Sequence, residues 1–222
     1  MSRPNKNRPG RRRVLRALAA APLASLAAAC EGVVPGKGPP PILYRLTPKS
    51  TFRSDLPTVQ WQLVLQLPLA NAGLSTTRIA LYRNPTHLQY YARASWTDRA
   101  PSMVLTLMIE SFENSGRIVA VGRESVGLRS DFVLKTELRE FQTEYYGSDV
   151  PVAHVAVNAK LVQSATRTIV ASKSFDCRHE AGADRLSDVV AAFDEALGKC
   201  LKKLVEWTLV TGEEADRRRR RS

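Results

Sequence analysis

Cys30 has the setting that most clearly announces chemistry in this 222-residue chain. It follows Ala27-Ala28-Ala29, which close an apolar Ala/Leu run, and a basic head precedes that run. Residues 1–29 hold seven Lys/Arg and no acid. A positive head, a short apolar run and a small-residue cleavage point are the layout of an export signal. The cut falls between Ala29 and Cys30. The apolar run is too short to span a bilayer as a permanent helix. Two more thiols follow, Cys177 and Cys200. An oxidising compartment permits a disulfide between them, but nothing in the sequence places them within bonding distance. Cys200 falls on the apolar face of a helix, which favours a buried free thiol there.

Leu26-Ala27-Ala28-Ala29-Cys30 resembles a bacterial lipoprotein box, with the leucine one place further from the cysteine than in the commonest form. The resemblance implies that Cys30 is diacylated on sulfur and becomes the new, acylated amino end. Each buried lipid methylene stabilises membrane association by about 0.8 kcal/mol, so two or three chains tether a domain without any span. Gly10-Arg11-Arg12-Arg13-Val14-Leu15-Arg16 also resembles the twin-arginine export pattern, with Arg11 and Arg12 as its pair. Every export signal has a positive head, so both routes stay open.

Other chemistry is sparse. His87, His154 and His179 lie in separate segments without metal-ligand spacing. His154 alternates with Val152 and Ala156, as a surface or packed strand residue does. There is no phosphate loop, nucleophile elbow or paired-carboxylate motif. The expectation is a chain with no catalytic residues, no metal and no cofactor. Tyr90-Tyr91-Ala92-Arg93-Ala94-Ser95-Trp96-Thr97-Asp98 is the most distinctive internal segment. It suits a strand end followed by a helix cap. Alternatively, Tyr90, Tyr91 and Trp96 form an aromatic surface for a partner or ligand.

Net charge is +12, which invites a nucleic-acid reading. The distribution excludes it. The excess sits in the signal and in Arg217–Arg221, and no element interleaves Lys/Arg with aromatics as a nucleic-acid groove does.

The elements that must position these residues follow from periodicity. Residues 30–41, rich in Gly and Pro, read as a lipidated tether. Ile42–Leu46 opens a domain over 42–211. Val59, Trp61, Leu63, Leu65 and Leu67 share one face of an alternating strand. Arg78–Arg83 and His87–Ala92 form a hairpin about Asn84-Pro85-Thr86. Thr97 or Asp98 caps a helix with Pro101 in its first turn and Gly116 at its end. A short strand at Arg117–Val121 and a three-stranded meander over 132–175 follow. A final helix runs from about Asp184 to Leu209 on the stripe Val189, Phe193, Leu197, Cys200, Leu204 and Thr208. Residues 212–222 read as a disordered Arg-rich tail. The fold class is α+β, a two-layer sandwich with a mostly antiparallel sheet and two main helices on one face.

Four passages carry a family resemblance: Tyr44-Arg45-Leu46, Tyr91 to Asp98, Leu138-Arg139-Glu140-Phe141 and Ala192-Phe193-Asp194-Glu195-Ala196-Leu197. With the lipoprotein box they make the chain similar to the auxiliary lipoproteins of ABC-type transporters. The resemblance implies a non-catalytic, periplasmic subunit. Its partners would be an ABC ATPase, a permease and a substrate-binding protein of the mammalian-cell-entry type, in intermembrane lipid transport. Some members assemble as rings, which implies a homo-oligomer. Glu31 after the cysteine leans towards the outer membrane, since inner-membrane lipoproteins commonly carry Asp there. The other readings are an envelope assembly lipoprotein without a transporter, or a periplasmic hydrolase.

Overall fold

The computed structural model describes residues 40–124 and 129–221. Ala29, Cys30, the arginine pair and nearly all of the tether lie outside them. The elements are β1 (Ile42–Tyr44), β2 (Val59–Leu65), β3 (Leu69–Ala70), β4 (Arg78–Tyr82), β5 (Leu88–Trp96), α1 (Ala100–Ser115), β6 (Ile118–Arg123), β7 (Phe132–Glu144), β8 (Val152–Gln163), β9 (Thr168–Glu180) and α2 (Leu186–Arg219).

β7 is the spine of a single sheet. One edge pairs along its length with antiparallel β8, which pairs in turn with antiparallel β9. Its other edge takes three parallel segments in chain order: β2 at Phe132–Leu134, β3 at Glu137–Leu138 and β4 at Gln142–Glu144. β6 extends the sheet beyond β2, and β5 then β1 extend it beyond β4. The long ladders are antiparallel, so the expected α+β sandwich stands, with short parallel pairings added to it.

Period-two alternation selects the buried face. Phe132, Leu134 and Leu138 of β7 meet Val155, Val157 and Leu161 of β8 under the helices. A bulge between Leu138 and Glu140 shifts the phase, so that Phe141 and not Glu140 turns inward. On β2, Val59, Trp61, Leu63 and Leu65 are buried as the alternation requires, but Leu67 is 55% exposed. Pro68 follows it, has no N–H to donate, and ends the ladder after Gln66.

Helix α1 starts one residue later than an Asp98 cap predicts and two later than a Thr97 cap predicts. Arg99 occupies the cap position without a side-chain bond to the helix. The Asp98 carboxylate accepts from the N–H of the cap residue Arg99 itself at 2.6 Å, and Ala100 N–H donates to the Thr76 carbonyl at 3.0 Å. Neighbouring backbone does the capping. Gly116, in the left-handed conformation at φ 61°, closes the helix as expected.

The larger correction is at the C-terminus. α2 continues ten residues past Leu209, through most of the segment read as a tail. Its buried stripe keeps its spacing through Thr208, Leu209, Gly212 and Asp216. Glu213–Arg217, Asp216–Arg219 and Asp216–Arg220 pair along the last turns. The three arginines of the last turn also suit the negative end of the helix dipole. Among the described residues, no helix is long and apolar enough to cross a membrane.

Candidate functional site

The aromatic segment of β5 divides between two roles. Trp96 is 1% exposed, which suits the strand-end reading of this segment and removes Trp96 from the alternative aromatic surface. Its ring lies edge-on to Phe193 at 5.1 Å and tilted to Phe141 at 5.6 Å, and those two rings are 5.2 Å apart. Each such pair contributes about 0.5–1.5 kcal/mol beyond area burial. Tyr44 pairs in register with Trp96 across β1 and β5. The Asp194 carboxylate accepts from Thr47 N–H at 2.6 Å and Thr47 Oγ1 at 2.7 Å. The four passages that carry the family resemblance therefore meet at one place. What they specify is framework.

Tyr90 and Tyr91 are half-buried. Tyr90 donates its hydroxyl to the Gly73 carbonyl at 3.0 Å, and the Arg78 guanidinium lies 3.7 Å above its ring. Tyr91 opens a hydroxyl chain: its oxygen is 3.0 Å from Thr143 Oγ1 and 2.8 Å from Tyr145 Oη, and Tyr145 donates to Asp184 at 2.7 Å. Burial is the first cause that pushes both phenols above their ordinary range, and for Tyr145 the bonds to Tyr91 and Asp184 push the same way. The chain joins β5, β7 and the lead-in to α2, and both phenols stay protonated.

On the opposite sheet face, a polar cluster joins three strands. His154 of β8 is buried, with Nδ1 2.6 Å from Glu144 of β7 and Nε2 3.1 Å from Asp176 of β9. Arg178 donates to Glu144 at 2.8 Å, and the Gln142 amide donates to Glu140 at 2.6 Å. Glu140, Glu144 and His154 bring ligand atoms within 4.8 Å of one another, a spacing that suits a cation. The Gln142 amide and the Arg178 guanidinium already fill those acceptors with protein donors. Both imidazole nitrogens face carboxylates, so neither is turned towards a nucleophile. The arrangement cross-ties the strands. The sequence placed His154 correctly on a strand but gave no signal for its partners, because they come from neighbouring strands in a register unreadable from spacing. His179 of β9 meets Lys199 of α2 at 2.9 Å, and His87 is exposed in the hairpin.

The surface most suited to binding lies between β9 and α2, a groove of about 580 Å³. Its floor is apolar, with Phe175 and Trp207 edge-to-face at 5.8 Å beside Val210. Arg53, Lys173 and Lys203 stand at its rim. The two acids there are engaged. Glu206 accepts from Lys202 and from Arg53 N–H, which hold its carboxyl low against the opposing effect of burial, and Asp176 serves His154. β9 pairs only with β8 among the described residues, so its other backbone edge borders this groove unpaired. Such a surface takes an apolar group beside a negative charge. Sequence reasoning missed it, because Trp207 sits off the helix stripe and no spacing ties it to Phe175.

The chain is similar to three known proteins. The chain is 34% identical to a protein of Xanthomonas campestris of known crystal structure, covering 79% of this chain and 99% of that one, with a TM-score of 0.76. A second crystal structure, of an uncharacterised protein, shares the fold alone at 11% identity and a TM-score of 0.60, over 75% of this chain and 97% of that one. An uncharacterised protein of Bradyrhizobium diazoefficiens is 27% identical over 169 residues, which is 76% of this chain but 45% of the relative's length. The family model for the ABC-type transport auxiliary lipoprotein component matches residues 44–205, from the β1 strand to the middle of α2. The chain belongs to that family.

Proposed function

We propose that this chain is a lipid-anchored periplasmic accessory subunit of an ABC-type transporter that moves lipid between the two membranes of the envelope. It acts by binding and scaffolding. Its partners are the ATPase, the permease and a substrate-binding protein of the mammalian-cell-entry type. Cys30 carries the acyl chains, and Glu31 favours anchorage in the inner leaflet of the outer membrane over the inner membrane. The single observation that carries the reading is the family match beginning at Tyr44, shortly after a lipoprotein-box cysteine. The groove between β9 and α2 supplies a contact surface for an anionic, partly apolar partner segment.

The Cys30→Ala variant tests the anchor. The folded domain is expected in the soluble fraction with transport function lost. A variant that still fractionates with membranes and complements fully sinks the reading.

A further inference from the structure

We propose that Cys177 and Cys200 join in a disulfide that fastens α2 to β9 in the exported protein. Cys177 lies on the core face of β9, directly opposite Val155 of β8. Cys200 lies in the buried stripe of α2, with its sulfur 3.4 Å from the Val155 carbonyl oxygen and 3.8 Å from that of Phe175. One of those contacts is the cross-strand partner of Cys177, and the other is two residues before it on the same strand. The Cys200 sulfur is thus held over the segment of β9 that carries Cys177. Both are free in the structure and almost fully buried, at 4% and 2% exposure. Buried thiols serve as small apolar fillers without meeting each other. Here two separate elements bring the only cysteines after Cys30 into the same buried layer between β9 and α2.

One of the two cysteines, as thiolate, attacks the disulfide of an oxidised thiol–disulfide oxidoreductase, forming a mixed disulfide and releasing one thiol of that enzyme. The other, as thiolate, then attacks the first cysteine's sulfur and releases the second thiol of the enzyme. Two protein thiols lose two electrons and two protons, and one oxidant disulfide becomes two thiols. Because docked α2 hides both sulfurs, the bond forms before the helix seats. It then fixes the width of the groove, since Phe175 lies two residues before Cys177 and Trp207 seven after Cys200.

This inference rests on the envelope placement proposed above, and one experiment separates the two. The full acylated chain is taken from membranes with its thiols quenched by an alkylating agent under denaturing conditions, then digested and analysed by mass spectrometry. The expected result is a linked Cys177–Cys200 peptide, two hydrogens lighter than the sum of its thiol forms. Reduction should then lower the thermal midpoint of the wild type and leave that of the Cys177→Ser/Cys200→Ser double variant unchanged. Membrane-anchored protein with both cysteines alkylated overturns the disulfide alone. Protein found reduced and only in the cytosol overturns the placement and the disulfide together.

Discussion

Gly212 of α2 lies against the indole of Trp61 so closely that a Cβ on it would stand 2.5 Å from Cζ2 and 2.9 Å from Cη2. Trp61 is fully buried on β2, and among the described residues its Nε1 has no hydrogen-bond partner. The Gly212–Trp61 contact lays the last turns of α2 against β2.

Gly212→Ala should therefore destabilise the protein by about 1–3 kcal/mol through overpacking. The intrinsic gain of about 1 kcal/mol from replacing glycine within a helix has the opposite sign. Urea unfolding of the two proteins decides. A stabilised variant would mean that the helix end is not docked on Trp61.

Asp216 tests the same extension from its charged side. Its carboxylate is buried, and it accepts from Arg219 at 2.5 Å and from Arg220 at 2.7 Å. Asp216→Ala is expected to cost about 1–3 kcal/mol. Arg219→Ala should cost less, about 1 kcal/mol or below, because water screens its half-exposed side chain despite its reach to Asp131. Thermal midpoints that move for neither variant would restore the disordered tail.

Trp96→Ala should cost about 3–5 kcal/mol, as a large aromatic lost from a core does. A Tyr90→Phe change removes only one hydroxyl bond, to Gly73, and should cost about 1 kcal/mol. Equal, small effects at both positions in chemical denaturation would argue against the aromatic triangle as framework.

The phenol chain fixes a pH dependence. The Tyr145 pKa is raised in the folded protein above the unfolded value, by burial and by its bonds to Tyr91 and Asp184. Its stabilising contribution is fully present below the unfolded value of about 10 and is lost as pH rises beyond it. Denaturation midpoints should fall on the alkaline side of about pH 10, and more steeply for the wild type than for Tyr145→Phe. Equal slopes would contradict the assignment.

Much of this was legible in the sequence. The meander of β7, β8 and β9, the hairpin at Asn84-Pro85-Thr86 and the Gly116 helix stop are local, set by alternation and turn chemistry. The stripe of α2 was legible until Gly212, where a glycine followed by acids and arginines reads as a helix end. Only the Trp61 contact, from 151 residues earlier in the chain, reveals that glycine as a packing residue. The same limit governs the candidate site. Trp96 carries the composition of a binding aromatic, and its burial depends on Phe141 and Phe193 arriving from distant segments. The groove and the thiol pair each join β9 to α2, a juxtaposition set by packing and by no spacing in the chain.

The most direct test of the proposed role is a pull-down of the tagged, acylated protein from mild-detergent membranes, with mass spectrometry of the co-purifying proteins and of the mature amino end. The expected result is a triacylated Cys30 together with an ABC ATPase, a permease and a mammalian-cell-entry-type binding protein. Their recovery should drop for the Trp207→Ala/Lys203→Glu variant of the groove. A lipidated Cys30 that brings down no transporter component contradicts the transport role and leaves an envelope assembly lipoprotein.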